Sequence, residues 1–211
     1  ESAMYGGAIG ARGPRYCPSI EDKIVRFASA ERHQLYLEPE GHDTHELYVN
    51  GLSTSLPVDA QLQLLHAIPG LERAEFLRMG SVHRNTFIAS PKCLGPTLAL
   101  VIDPDLYFAG QITGTEGYVE SAAGGWLAAY FLSERLAGRV AVPPPPTTAH
   151  GGLLAHLTRP VEDFQPSNIT FAHLPPLEGT RLKKRERYEA LAARALADLD
   201  LWWAAARAHA A

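Results

Sequence analysis

The 211-residue sequence has little of what defines several large classes of protein. Its two cysteines, Cys17 and Cys93, lie far apart and outside any Cys-x-x-Cys pattern, which argues against a disulfide framework and a zinc site. No apolar run approaches the roughly 20 residues of a membrane span, and no signal-peptide pattern is visible. The formal net charge of −4 indicates no general affinity for nucleic acid, so RNA contacts would need a local basic patch. We therefore expect a soluble, cytoplasmic protein without a metal or a membrane.

The most distinctive stretch is residues 106–129, LYFAGQITGTEGYVESAAGGWLAA. Residues 106–109 are apolar and predict one buried strand, Gly110 interrupts the run, and residues 113–117 predict a turn. From Tyr118 a helical pattern begins that is rich in alanine and glycine. A strand, a glycine-rich turn and a helix let the backbone approach a ligand and direct helix N–H groups at it. An ordinary strand-to-helix turn is the alternative that the glycines alone would favour.

Residues 108–125, FAGQITGTEGYVESAAGG, closely resemble the C-terminal flavin motif of the GidA-type FAD proteins that modify uridines in tRNA. Their form is similar to the branch of folate- and FAD-dependent tRNA (uracil-5-)-methyltransferases. The resemblance implies that the turn and the helix N-terminus face the isoalloxazine ring. A helix N-terminus stabilises the negative charge of a reduced flavin by about 0.3–1 kcal/mol. The residues that the resemblance assigns to the cofactor are Gly110, Gln111, Thr113, Gly114, Glu116, Gly117, Tyr118, Glu120 and Ser121.

Residues 81–93, SVHRNTFIASPKC, resemble a segment of the same methyltransferases with a His-Arg-Asn-Thr tetrad. His83, Arg84 and Asn85 can stack on a ring, donate in a fork and bond an amide-like edge. A pterin or a uracil requires these groups, so we expect a substrate or folate contact with His83 as the stacking partner. Without the resemblance, a polar loop would be favoured. Residues 163–179, DFQPSNITFAHLPPLEG, also resemble the methyltransferases.

The first part of the chain resembles a second branch of this superfamily. Residues 13–27, GPRYCPSIEDKIVRF, and residues 48–61, YVNGLSTSLPVDAQ, are similar to MnmG, which installs carboxymethylaminomethyl groups on wobble uridines. That branch has a functionally important cysteine in this motif, which implies a catalytic role for Cys17. Basic neighbours such as Arg15 and Lys23 favour a thiolate. A small buried hydrophobic residue is the alternative.

Residues 181–211 predict an amphipathic helix, because Tyr188, Leu191, Ala195 and Leu199 recur at spacings of three and four. The segment begins RLKKRER, and cations at a helix N-terminus oppose the macrodipole. A phosphate contact would explain these cations, since each one releases a counterion from RNA. A solubilising turn is an equally good explanation. The candidate RNA-binding residues are Arg181, Lys183, Lys184, Arg185 and Arg187.

Together the resemblances imply an α/β chain, the C-terminal part of a glutathione-reductase-like, Rossmann-type FAD-binding fold with a C-terminal helical tail. The N-terminal dinucleotide-binding half is expected to be missing. We expect an MnmG-like segment at residues 1–66 and a methyltransferase-like flavin segment at residues 67–139. Residues 140–211 would form a proline-rich linker, with a stiff polyproline spacer around residues 143–146, and a helical segment.

Three functional hypotheses follow. The first is the C-terminal part of an FAD- and folate-dependent tRNA (uracil-5-)-methyltransferase that forms 5-methyluridine. In that family methylenetetrahydrofolate supplies the one-carbon unit and NAD(P)H supplies electrons. The second is MnmG-type modification of wobble uridine, which normally needs a partner protein. The third is a non-catalytic flavoprotein remnant that binds RNA or a protein through its basic helix.

Overall fold

The computed structural model describes residues 2–7, 19–81, 86–179 and 182–210, and its contacts divide the chain into two compact units. The first unit contains the helices α1 (Ile20–Arg26) and α2 (Val58–His66) and the strands β1 (Tyr36–Pro39) and β2 (Leu47–Asn50). The second contains α3 (Ser90–Cys93), α4 (Tyr118–Leu136), α5 (Ala149–Thr158), α6 (Lys184–Ala210) and 3-10 turns at Gly110–Thr113 and Phe171–His173. Among the helices described, none combines the length and apolar character needed to cross a bilayer.

In the first unit, α1 begins with a capping box. The Ser19 hydroxyl accepts from the Asp22 N–H at 3.2 Å, and the Asp22 carboxylate accepts from the Ser19 N–H at 3.3 Å. These bonds satisfy N–H groups that a helix N-terminus leaves without an intrahelical partner. The antiparallel strands β1 and β2 pair Tyr36 with Asn50 and Pro39 with Leu47.

The core of the second unit lies between α4, α5 and the segment around α3. Phe131 and Leu127 of α4, Leu157 of α5 and Leu98 are each at most 1 % exposed. Full burial of such a side chain stabilises the folded state by about 1.5–3 kcal/mol. The core therefore fixes the position of α4, whose N-terminus follows the glycine-rich turn.

An aromatic cluster joins α6 to α4. The rings of Trp202 and Trp203 lie 6.0 Å and 5.2 Å from that of Trp126, and the Trp202 indole N–H donates to the Val142 carbonyl at 2.9 Å. The Tyr130 hydroxyl donates to the same carbonyl at 3.3 Å. The stiff spacer around residues 143–146 stays a prediction, and Val142, just before it, is held by side chains of α4 and α6.

The prediction of a buried strand at residues 106–109 is wrong. This run makes a single isolated bridge, between Ala99 and Tyr107, with backbone hydrogen bonds from Leu100 to Leu106 and from Phe108 to Leu98. The residues between the two segments are exposed and form a turn, so the pairing ends after one bridge. Apolar character alone does not make a strand when the partner segment is this short.

Two glycines give a matched test of the packing. A Cβ on Gly151 of α5 would overlap the backbone carbonyl of Pro145, whereas a Cβ on Gly125 of α4 meets no heavy atom within 4 Å. We predict that Gly151→Ala lowers the free energy of unfolding by about 1–3 kcal/mol, because a backbone atom cannot yield easily. Gly125→Ala should raise it by about 0.5–1 kcal/mol. Urea unfolding measures both, and equal effects would contradict the packing.

Candidate functional site

The glycine-rich turn connects the 3-10 turn at Gly110–Thr113 to α4. Gly110 and Gly114 have φ values of 74° and 90°, in the left-handed region that favours glycine. The Thr113 hydroxyl donates to the Gly110 carbonyl at 2.7 Å, and the Ser90 hydroxyl donates to the Thr113 carbonyl at 2.8 Å. Because Ser90 and Thr113 are fully buried, these bonds fix the turn on the core side.

A distant segment pairs with the turn. Thr115 and Ser167 form a parallel bridge, in which the Ser167 N–H donates to the Gly114 carbonyl at 3.1 Å and the Glu116 N–H donates to the Ser167 carbonyl at 3.2 Å. Residues 163–179, which resemble the methyltransferases in sequence, thus lie beside the flavin-like motif. We call residues 164–169 the partner segment.

The spaces beside the turn glycines are filled by side chains of this chain. A Cβ on Gly114 would lie 2.6 Å from two ring atoms of Phe164. A Cβ on Gly117 would overlap the Glu120 carboxylate and lie 2.6 Å from the Asn168 side-chain oxygen. The sequence suggests that these glycines let a ligand approach the backbone, whereas the structure shows that they accommodate internal packing.

The predicted flavin residues come together at the start of α4. The Ser121 and Thr115 hydroxyls share a hydrogen bond of 3.0 Å. The part of α4 that is rich in alanine and glycine packs on the turn, because a Cβ on Gly124 would lie 3.5 Å from the Gly110 nitrogen. Tyr118 is 78 % exposed at the beginning of the helix. These residues of the motif thus lie close together at the start of α4.

Two hydrogen-bond donors in this site, the Gln111 side-chain amide and the start of α4, suit the carbonyl groups at the edge of a flavin ring. The side-chain nitrogen of Gln111 is buried and has no hydrogen-bond partner among the described residues. Such an unsatisfied donor costs about 1–3 kcal/mol. The N-cap residue of α4, Gly117, provides no side-chain cap. An amide N–H and an uncapped helix start are the donors that the carbonyls of an isoalloxazine would accept from, so the residues present fit the flavin that the motif implies.

A groove of about 320 Å³ lies beside Phe164, the residue whose ring packs on Gly114 of the turn. The rings of Phe87 and Phe164 meet edge to face at 6.0 Å, and Phe164 lines the groove while also contacting Gly114. Aromatic rings offer a stacking surface for a planar group. The groove is lined by Phe87, Ala89, Pro91, Lys92, Val161, Glu162, Asp163 and Phe164.

A family model described as "Glucose inhibited division protein A" matches residues 1–140. The chain belongs to this GidA family. Aquifex aeolicus GidA, in its form I crystal, aligns with a TM-score of 0.55 and 41 % identity over 76 % of this chain and 28 % of that one. This likeness confirms the predicted fold class, part of an FAD-binding α/β fold with a C-terminal helical segment.

Relatives come from both predicted branches. The methylenetetrahydrofolate--tRNA-(uracil-5-)-methyltransferase TrmFO of Anaeromyxobacter dehalogenans is 44 % identical over 205 residues, which are 95 % of this chain and 45 % of that protein. The tRNA uridine 5-carboxymethylaminomethyl modification enzyme MnmG of Geobacillus thermodenitrificans is 52 % identical over 138 residues, 65 % of this chain and 22 % of that protein. The chain therefore spans less than half the length of these GidA-family relatives.

Several predicted site residues lie outside the described part of the GidA-family chain. They are Cys17, the candidate catalytic residue, His83, Arg84 and Asn85, the candidate folate contacts, and Arg181 of the basic segment. Their roles stay predictions. Sequence reasoning did not single out Phe164, Asn168 or His156, although residues 163–179 were noted for their resemblance.

The remaining basic residues surround the first turn of α6. Lys184 and Arg187 lie 5.8 Å and 5.5 Å from the centre of the Tyr188 ring, and Arg185 pairs with Glu189 at 2.9 Å. Tyr188 itself stacks on Phe171 at 4.4 Å. These cation–π contacts hold the two charged groups close to the ring, and both residues stay exposed to solvent. The basic turn is therefore ordered locally and accessible to a phosphate.

A half-buried histidine lies beside Phe164. The His156 ring is 5.2 Å from the Phe164 ring and 5.0 Å from the His173 ring, and its Nε2 has no partner among the described residues. Burial lowers the pKa of His156, and the charge of His173 lowers it further, while a hydrogen bond with the Gln165 backbone opposes this. Burial also lowers the pKa of His150, which packs on Trp126.

These shifts predict a loss of stability in acid. When the pKa of a histidine is lower in the folded chain than in the unfolded chain, the unfolded chain binds more protons as the pH falls. The free energy of unfolding should therefore decline as the pH drops below about 6.5, the ordinary histidine pKa. Urea unfolding between pH 8 and 5 would measure this, and His156→Phe should reduce the decline. A profile unchanged by His156→Phe would contradict the assignment.

Proposed function

We propose that the chain is the flavin-facing part of a tRNA uridine C5-modifying enzyme of the methyltransferase type, as the TrmFO relatives are named. The observation that carries this proposal is the 44 % identity to the A. dehalogenans protein over 95 % of the chain. A match of that extent includes the turn, the partner segment and most of α6. The G. thermodenitrificans MnmG match covers 65 % of the chain.

In the proposed site, FAD would be held by the turn and would mediate transfer of a one-carbon unit from methylenetetrahydrofolate, with electrons from NAD(P)H. The turn backbone and the Gln111 amide would orient the ring edge by donating to its carbonyls. The groove would offer Phe87 and Phe164 as stacking surfaces for a planar substrate. His83, Arg84 and Asn85, which precede Phe87 in the sequence, would supply polar contacts to a pterin or a uracil.

MnmG-type modification is the second candidate function. The 52 % identity over 138 residues to the G. thermodenitrificans enzyme favours it, as does the GPRYCPS segment that contains Cys17. The two functions differ in the group added to uridine, so mass spectrometry of the modified tRNA separates them.

The predicted residue roles distinguish the two chemistries. We would place this chain in a chimera, in which it replaces the matching part of the A. dehalogenans TrmFO relative, and follow transfer of a labelled one-carbon unit from methylenetetrahydrofolate to tRNA. His83→Ala should lower the transfer rate by about tenfold or more, because a stacking partner and its polar contacts are lost. Cys17→Ala should keep most of the activity.

The reverse pattern, in which Cys17→Ala abolishes transfer and His83→Ala leaves it intact, would contradict the methyltransferase proposal. Formation of a carboxymethylaminomethyl group instead of a methyl group would establish the second function.

The basic turn should contribute sequence-independent affinity for tRNA. We predict that Lys184→Ala and Arg187→Ala each weaken tRNA binding, because each removes one phosphate contact. Each should also make the dependence of the logarithm of the association constant on the logarithm of the salt concentration less steep, by about 0.7–0.9. Arg207→Ala, an exposed cation at the other end of α6, is the matched control and should change neither. Fluorescence anisotropy at several salt concentrations measures the slope. Equal effects of all three variants would contradict a localised RNA contact.

A further inference from the structure

Glu120 is a buried carboxylate in the first turn of α4. It is 9 % exposed, and its Oε1 accepts from the Ile169 N–H at 3.0 Å. Among the described residues no lysine or arginine forms an ion pair with it. A buried carboxylate is costly unless hydrogen bonds compensate for lost water. Here the Ile169 amide and the start of the helix provide that compensation.

The Glu120 carboxylate explains why a residue without a side chain stands at position 117. Gly117 has φ −87° and ψ 159°, an extended conformation open to any residue. Backbone conformation therefore does not require a glycine at this position. A Cβ would instead overlap Glu120 Oε2, so Gly117 and Glu120 form a steric pair.

Glu120 also connects two parts of the site that are remote in sequence. Ile169 lies two residues after Ser167, which pairs with Thr115 of the turn. The carboxylate thus joins the N-terminus of α4 to the partner segment, and the turn lies between these two attachments. Glu120, which the resemblance assigns to the flavin, is therefore directed at the protein itself, as are the hydroxyls of Thr113 and Ser121.

We propose that Glu120 is a positioning residue for the turn at residues 114–117. Its carboxylate holds the turn against the partner segment and sets the direction of the first N–H groups of α4. The inference rests on the proposed function only in naming FAD as the ligand toward which the turn is positioned.

A double-mutant cycle tests the steric pair without any ligand. Gly117→Ala should raise the unfolding equilibrium constant by about tenfold in the original chain and by about twofold or less in the Glu120→Ala background. The other close atom, the Asn168 side-chain oxygen, belongs to an exposed side chain that can move away. Additive effects of the two substitutions would overturn the proposal.

Glu120→Gln separates positioning from general stability, because the amide oxygen still accepts from the Ile169 N–H. In ¹H–¹⁵N spectra, Glu120→Ala should shift the backbone signals of Ile169, Gly114 and Thr115, whereas Glu120→Gln should leave Ile169 close to its original position. Signals of α5 serve as an internal reference. A folded Glu120→Ala chain with unshifted turn signals would overturn the proposal.

Titration with FAD, followed by flavin fluorescence, tests whether the turn is positioned for this ligand. The titration uses the chimera with the A. dehalogenans TrmFO relative, which supplies the rest of the FAD-binding fold. In it, Glu120→Ala should weaken FAD binding by about fivefold or more, and Glu120→Gln by about twofold or less. Equal FAD affinities for the original and Glu120→Ala chimeras would overturn the positioning role. If the original chimera shows no FAD binding, the proposed function loses its support, while the mutant cycle and the spectra still decide the role of Glu120.

Discussion

The pairing of Thr115 with Ser167 is the constraint on which the candidate site depends. Two backbone hydrogen bonds bring the partner segment onto the turn, although the segments lie about fifty residues apart. This contact places Phe164 against Gly114 and the Ile169 N–H against Glu120. Closing so long a loop is entropically unfavourable, so burial in the core made by α4 and α5 has to offset this cost.

The C-terminal helix is attached along one face. Leu191, Trp202 and Ala206 of α6 are buried, whereas Leu196 and Leu201 on its other faces are 64 % and 71 % exposed. Near the C-terminal end of the helix, the Trp202 ring packs in the aromatic cluster while its N–H donates to the Val142 carbonyl. Large aromatic side chains can carry such a contact because they combine a wide apolar surface with a polar atom. This anchoring leaves the basic first turn of α6 exposed.

Local sequence signals predicted the start of a helix where a breaker was clear. α4 begins at Tyr118 as predicted, directly after Gly117. The same rules missed α1, although Ser19 and Asp22 have the spacing of a capping box. The turn itself was predictable from its glycines. Their physical purpose was not, because Phe164 fills the space beside Gly114 from a segment about fifty residues away, which no local pattern reveals.

The buried carboxylate also changes the electrostatic argument for a flavin at this turn. The expected stabilisation of about 0.3–1 kcal/mol applies to a helix N-terminus that is free to interact with an external negative charge. In this chain Glu120 already occupies the first turn of α4 and interacts favourably with the same dipole. A second negative charge nearby would be repelled by Glu120. In the proposed site, recognition of the ring edge must therefore depend more on the unpartnered Gln111 amide than on the helix dipole.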